Sequence, residues 1–392
     1  MEPSDTAYKP TQASLVVGVD ASRSRSGGAI AHVLGFLRCG DPRAHGIKTV
    51  HLWAHDKLLD AVEKAPWLVL HEVPASRRSI IHQLMWQRRT LPKLAKELGV
   101  LAMFNTDAGS VCPFQPSITL SQDMLSYEPG EMQRYPWPSR ARIRLEALRF
   151  VQLHRLRSSS VAVFLTRHAA KVIGALTPLR KSAIIAHGID EKFSRVAMTD
   201  RYFPASGPIR ALYVSNAAPY KHQWHVVDAV ARVRQTSGID LRLRLVGGGQ
   251  GHAQERLDAA IRQYDPSGQF VEHIAFVPHD RIAGELKDAD LFVFASSCEN
   301  LPITLLEAMA AGLPIATSNR GPMPEVMGPD ACYFDPEAPE SIATALSKVL
   351  SSSGLRQRIM QDARVRAAGY TWERCSNETW ALLADVAKSS NH

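Results

Sequence analysis

What the 392-residue chain lacks narrows its class first. No apolar run approaches the roughly eighteen residues of a membrane span. The opening MEPSDTAYKP sets acids before its first lysine with no apolar core behind them, so it does not read as a signal peptide and a cytoplasmic protein is expected. Cysteine is scarce: Cys39, Cys112, Cys298, Cys332 and Cys375 are odd in number and form no C-x-x-C, which argues for reduced thiols over a disulfide framework or a zinc site. There is no internal repeat and no low-complexity tract. Acid is short in one half only. Residues 1–205 hold 28 Lys and Arg against 17 Asp and Glu, whereas residues 206–392 hold 18 against 21. The first half therefore carries all of the net +8 and more, a field that attracts polyanions such as acidic lipid headgroups, a phosphorylated acceptor or nucleic acid. No nucleic-acid-binding module accompanies it, so nucleic acid is not an expected partner.

What is present is an alternation of short β-branched runs with longer helical stretches, the pattern of parallel sheets flanked by helices. The length suits two domains. Strands are expected at 14–20, 48–54, 67–73, 100–105, 117–123, 161–166 and 182–188. The turn-rich FPASGP (203–208) reads as a linker, and ALYVSN, LRLRLVGG, FVEHIAFV, LFVFASS and PIATSN begin a second series. The boundary falls near residue 205. Past residue 340 the chain reads as helix, and the last amphipathic segment is long enough to cross back onto the first domain.

The segment LFVFASSCENLPITLLEAMAAGLPIATSNRG (291–321) carries most of the chemistry. It reads as a strand, a short loop and a helix opened by Pro302, since proline suits the first helical turn. Glu299 then sits at the carboxyl end of the strand, and the amides of Asn300, Leu301 and Ile303 lie where a helix N-terminus offers unpaired donors to an anion, here a diphosphate. Ligands of open α/β sheets bind at that end. Glu299 can thus reach sugar hydroxyls, and Glu307, eight positions on, can accept both hydroxyls of a ribose, an E-x7-E pattern. On spacing alone the two acids would equally suit a helix start and its solvated face.

The wording around these glutamates resembles the E-x7-E region of retaining glycosyltransferases of the GT-B fold, specifically glycosyltransferase family 4, which includes bacterial lipopolysaccharide and mannosyl transferases. IIAHGIDEKF (184–193) is similar to the family's hydrophobic-x-x-Gly-Ile-Asp-x-x-Phe signature, ALYVSNAAPYKHQ (211–223) to its first C-domain strand and phosphate-binding lysine, and LRLVGGGQG (243–251) to the next strand and turn. The likeness runs over residues 184–375. In the first half it rests on SGGAIAHVLGFL (26–37), whose Gly27 and Gly28 match the loop after strand one, and on SQD (121–123).

The resemblance implies two Rossmann-like, doubly wound domains facing across a cleft. Residues 1–205, joined by a helix at about 373–392, would bind the acceptor, and residues 206–372 the donor. It implies a hexosyl transfer with retention, without cofactor or metal, from a GDP- or UDP-linked sugar, mannose by family frequency, to a glycan or lipid-linked acceptor of a surface polysaccharide such as O-antigen. Glu299, Lys221 and Asp123 are then the catalytic candidates. Gly27, Gly28, Asn216, Lys221, Phe276, Val277, Glu299, Asn300, Leu301, Pro302, Ile303 and Glu307 would line the donor, and Gln122 and Asp123 would meet sugar or acceptor. The leaving diphosphate helps deprotonate the acceptor in this mechanism, so the protein supplies positioning and charge.

Three features depart from the family pattern. Asn216 stands where many members place arginine, Asn300-Leu301-Pro302 replaces a common Gly-Phe-Gly, and Gln122 replaces a frequent histidine. A non-catalytic nucleotide-sugar or glycan-binding homologue, motivated by those changes, and a nucleotide-sugar epimerase are the alternatives. Asp288-Ala289-Asp290 reads as a helix end and strand start, not a metal motif, and GGGQG lacks the dinucleotide spacing G-x-G-x-x-G. Finally, residues 77–98 interleave Arg77, Arg78, Arg88 and Arg89 with Ile80, Ile81, Leu84, Met85 and Trp86, an interfacial-helix composition that suggests peripheral docking on the inner face of the cytoplasmic membrane.

Overall fold

Runs such as LVVGVD, AMFN, VAVF and LFVF are apolar at almost every position because each strand they form is covered on both faces, the condition of a parallel sheet packed between helices. The computed structural model describes residues 15–25, 27–74, 79–196, 203 and 207–389. The first sheet comprises β1 (Leu15–Asp20), β2 (Ile47–Ala54), β3 (Leu68–Glu72), β4 (Ala102–Asn105), β5 (Ser117–Ser121), β6 (Val161–Phe164) and β7 (Ser182–Ile184), in the spatial order β3-β2-β1-β4-β5-β6-β7. The second comprises β8 (Ile209–Val214), β9 (Leu241–Val246), β10 (Val271–Ile274), β11 (Leu291–Phe294), β12 (Ile315–Ser318) and β13 (Cys332–Phe334), in the order β10-β9-β8-β11-β12-β13. Every pairing is parallel. Both sheets reverse their strand order once, between β1 and β4 and between β8 and β11, and a crevice opens at each such switch point. The two doubly wound domains expected from the sequence are thus present.

Several details differ from the sequence reading. The three-residue β13 was not anticipated, because CYF is too short to show a period. The fifth strand stops at Ser121, so Gln122 and Asp123 belong to the loop beyond it. Gly27 and Gly28 are the first two residues of the helix Gly27–Arg38 instead of loop residues. Pro302 is the cap residue, and the helix itself runs Ile303–Ala310.

The basic segment is also less regular than a single interfacial helix. It divides into a helix Ile80–Met85, a π-turn Trp86–Thr90 and a helix Leu91–Glu97. The extra residue in the π-turn rotates the following face. Gln87 is thereby buried, where its Nε2 donates to Asp20 Oδ2 (2.6 Å) and its Oε1 accepts from the Val111 amide (3.0 Å). Trp86 packs half-buried against the cluster of Leu91, Met103 and their neighbours and keeps part of its surface open to solvent. Arg77 and Arg78 lie outside the described residues; Arg88 and Arg89 are exposed, as are Ile80, Ile81 and Met85.

The last helix, Trp372–Lys388, starts where Thr371 Oγ1 accepts the Arg374 amide (3.1 Å), an N-cap bond, and it packs on the first domain. Ser376 Oγ donates to the Phe36 carbonyl (2.6 Å), and Trp380 is fully buried against Phe36 and Trp67. Gly188 makes the crossing possible: a Cβ there would lie 2.0 Å from the Trp372 amide nitrogen.

Candidate active site

The second switch point puts the exits of β8 and β11 side by side, and the exits carry Lys221 and Glu299. Lys221 Nζ donates to Glu299 Oε1 in a close ion pair with both side chains largely shielded from water. The lysine is fixed from below, since the Tyr213 hydroxyl donates to its carbonyl (2.7 Å), and its ammonium lies 5.2 Å from the Tyr220 ring centroid and 5.6 Å from that of Phe294. The next residue, His222, has φ +49°, the one non-glycine in the left-handed region among the described residues. Such a conformation persists where surrounding contacts enforce it; here the His222 ring pairs through Nε2 with Ser297 Oγ (3.0 Å). Burial, with the Arg134 charge second, brings the His222 imidazolium down to about 3, so the ring adds no positive charge beside the lysine at neutral pH. Close approach of the β8 and β9 exits requires Gly247, where φ is +113° and a Cβ would sit 2.3 Å from the Ser215 carbonyl oxygen.

A cleft of about 970 Å³ runs from Glu299, Asn300, Leu301 and Ile303 across to Arg23, Arg25, Gly28, Gln122, Asp123 and His187. The structure therefore brings Gly28, Gln122, Asp123, Glu299, Asn300, Leu301 and Ile303, among the sequence candidates, to one cavity. Burial raises the Asp123 carboxyl above its ordinary range, opposed mainly by the Leu125 amide that donates to its Oδ1 (3.2 Å). Gln122 donates to the Thr106 carbonyl (3.0 Å). A Cβ at Gly27 or Gly28 would meet nothing within 4 Å, so no protein atom requires glycine at either position. Asn216 is exposed, Phe276 is 77% exposed, and Val277 packs partly on the core; none of the three is among the residues that line this cleft. The pair Asp288 and Asp290 lies at the far end of β11, where Asp290 accepts from the Arg210 amide (2.8 Å), as a strand start does.

Two expected donor residues do something the sequence did not indicate. Asn300 turns its side chain away from any helix N-terminus and donates to the Ser121 carbonyl across the domains (2.9 Å), while its own carbonyl accepts from Thr166 Oγ1 (3.1 Å). Glu307 was expected to offer both oxygens. Instead Oε1 is engaged by His279 Nε2 (2.8 Å), and only the buried Oε2 has no partner.

Other functional neighbours were missed because they come from distant sequence. Ser297 Oγ donates to Glu131 Oε1 (2.6 Å), Arg134 bridges Glu131 (2.8 Å) and Glu337 (2.7 Å), and Glu325 accepts the amides of Arg167 (2.9 Å) and His168 (2.8 Å) at the start of a first-domain helix. These bonds clasp the domains along one side of the cleft. His187, inside the signature IIAHGIDEKF, lines the cleft floor and stacks edge-on against His32 at 4.5 Å between centroids. Both are buried; His32 has no partner at either nitrogen and His187 none at Nδ1.

That histidine pair has a consequence for acid stability. Burial holds His187 down at about 4, and burial with the charge of His187 holds His32 well below its usual value. Between the ordinary histidine range near 6.5 and about 4 the unfolded chain binds protons that the folded chain does not, so stability is complete above that window and lost as pH falls through it. The loss from His187 alone is on the order of 3 kcal/mol. Guanidinium melts at pH 7 and pH 4.5 should show the first transition moving to lower denaturant in acid, and His187→Phe should flatten that dependence. An unchanged dependence in the variant would assign acid sensitivity elsewhere.

Two domains of this topology facing across a cleft, with a lysine and a glutamate at the second switch point, define a protein of the GT-B class. Residues 199–366 match the family described as glycosyl transferases group 1. Among relatives, the chain is 26% identical over 246 residues to the MMP alpha-(1->4)-mannosyltransferase of Mycolicibacterium hassiacum, covering 59% of this chain and 56% of that protein. It is 24% identical over 172 residues to the O-antigen chain mannosyltransferase B of Escherichia coli, covering 43% and 44%. The chain thus spans about half the length of these curated relatives. Among solved structures, sucrose-phosphate synthase of Thermosynechococcus elongatus superposes with a TM-score of 0.74 at 15% identity, over 96% of this chain and all of that one (100%). Anabaena HepE in complex with UDP and glucose superposes with 0.70 at 14%, over 95% and 100%. At these identities the two structures support the fold.

Proposed function

We propose that the protein is a retaining, metal-independent glycosyltransferase that moves a hexose from a nucleoside-diphosphate sugar, held by the second domain, to a glycan or lipid-linked acceptor held by the first. The observation that carries this is the Lys221–Glu299 pair at the mouth of the cleft, beside the start of the helix Ile303–Ala310 and opposite Asp123. Lys221 and the helix amides stabilise charge growing on the departing β-phosphate, and Glu299, displaced from Lys221 by the diphosphate, takes a sugar hydroxyl. The freed phosphate oxygen accepts the acceptor's proton on the same face of the sugar, which gives retention without a protein nucleophile. The names of the relatives support mannose as the sugar and, in one case, an O-antigen chain as the acceptor; we take guanosine diphosphate as the sugar's carrier.

A peripheral membrane site for this reaction is supported by Ile80, Ile81 and Met85, all exposed on the helix that borders the cleft, next to exposed Arg88 and Arg89. Among the described residues no helix is long and apolar enough to cross a membrane. Co-sedimentation with anionic vesicles at low salt, lost on Ile80→Ser with Ile81→Ser, tests this part separately.

The donor is tested by a thermal-shift panel without added metal, with GDP, UDP, ADP and their common sugars against wild type and Glu307→Ala. One nucleotide should raise the melting temperature by several degrees and do so less in the variant. No response to any nucleotide would favour a non-catalytic homologue, and donor hydrolysis or epimerisation without acceptor would favour the epimerase alternative.

A further inference from the structure

Glu307 raises a problem that the donor reading alone does not solve. A carboxylate 98% removed from solvent normally finds partners for both oxygens, yet Oε2 has none, while Oε1 is occupied by a histidine from a different segment. That histidine, His279, opens the short turn His279–Arg281 that follows β10. Its ring is tied at its other edge: Phe193 packs against it edge-on at 5.6 Å, and the neighbouring Lys192 donates to the His279 carbonyl (3.4 Å). The segment that supplies Phe193 and Lys192 is the helix Glu191–Arg195, which follows the last strand of the first sheet. The imidazole is therefore held between a strap and the helix Ile303–Ala310, with 63% of its side chain still open to solvent.

We propose that His279 is the positioning residue for the donor's ribose: by donating from Nε2 to Glu307 Oε1 it fixes the carboxylate and leaves Oε2 to accept from one ribose hydroxyl, not two. The inference rests on the donor-binding reading of Glu307. A buried acceptor with one free oxygen fits a neutral hydroxyl donor that arrives and leaves, because a permanent cation there would cancel the slot. The charges facing His279 are Glu307 on the helix, Asp190 and Lys192 on the strap, and Asp280 and Arg281 on its own turn. The hydrogen bond to Glu307 raises the imidazolium above its ordinary range, with burial opposing, so the positive charge that strengthens the bond to the carboxylate persists to higher pH than in a free histidine and is lost as pH climbs further.

The test is isothermal titration of wild type, His279→Ala and His279→Gln with the nucleoside diphosphate that the panel selects and with its 2′-deoxy and 3′-deoxy forms, from about pH 6 to about pH 9. Wild type should bind one deoxy form about tenfold or more weakly and the other almost as well as the parent, the loss expected for one hydrogen bond to a charged group. His279→Ala should bind parent and both deoxy forms alike. Wild-type affinity should fall as pH rises, and His279→Gln, which donates without titrating, should keep the discrimination and lose the pH dependence. Unchanged discrimination in His279→Ala, or equal losses on both deoxy forms in wild type, overturns the inference while leaving the donor reading intact. Absence of nucleotide binding to wild type overturns both.

Discussion

Replacing Lys221 by alanine should lower sugar transfer by about 10²–10³-fold at saturating donor, the effect of removing one preorganised stabiliser of charge that develops in the transition state. The ammonium is already in place without ligand, held by the Tyr213–carbonyl bond and flanked by the rings of Tyr220 and Phe294, so no reorganisation is needed as the β-phosphate becomes negative. Its resting partner, Glu299, must exchange an ammonium for a sugar hydroxyl when the diphosphate enters. That exchange predicts a signature. Lys221→Ala leaves a shielded Glu299 carboxylate without its partner and should destabilise the domain as well as slow the reaction, since breaking one side of a buried pair is costly. The double variant Lys221→Ala with Glu299→Gln removes the stranded charge, so it should recover stability but not turnover. Release of nucleoside diphosphate and urea denaturation on the same three proteins separate the two effects. If the double variant regained activity, or the single variant stayed within threefold of wild type, the lysine would be a structural partner of Glu299 and the charge stabilisation would come from elsewhere.

How much of this was legible in the chain depends on sequence distance. The strand, loop and helix that carry Glu299 are contiguous, and strand-to-helix turns are local structures with local signals, so the cradle and the alternation of both sheets could be read directly. The clasp could not: Glu131 and Ser297 are 166 residues apart, and Glu325 and Arg167 are 158 apart, and a carboxylate that caps a helix from another domain leaves no spacing to detect. His279 is 28 residues from Glu307 and sits in a turn whose composition is ordinary. Its only signal was that Glu307, on an otherwise buried helix, would need a second partner. Gln87 went unread for a different physical reason: a single π-turn shifts the helical phase and buries it, and a periodicity reading assumes that the phase is constant. Asn300 was read through its backbone because its neighbours are; its amide side chain, free to bond across the cleft to Ser121, decided otherwise.

Truncating Trp380 to alanine should cost about 3–5 kcal/mol, the range for removing a large aromatic from a packed interior. The indole is fully buried, 5.2 Å from the Phe36 centroid and 6.1 Å from that of Trp67, so the hole would open between the last helix and the first domain, not within either domain's own layers. The position matters for more than stability. The helix Trp372–Lys388 belongs by sequence to the end of the donor domain's chain, yet Ser376 bonds Phe36 and Trp380 fills the first domain, so this helix, like the clasp of Glu131, Arg134 and Glu325, is an attachment that helps hold the cleft at its present width. Loosening one should let the domains part more often. A two-domain chain need not unfold in one step; calorimetry should therefore show the first transition falling by roughly 10 °C with the second nearly unmoved. Donor affinity should change little, because the donor residues other than Gly27 and Gly28 lie on the second domain, while the acceptor's KM should rise. The exposed Trp137→Ala is the control, expected to shift neither quantity. Equal falls in both transitions would mean that the two domains melt as one unit and that the helix is part of a common core, and an unchanged acceptor KM would place the control of cleft width on the Glu131 and Glu325 side.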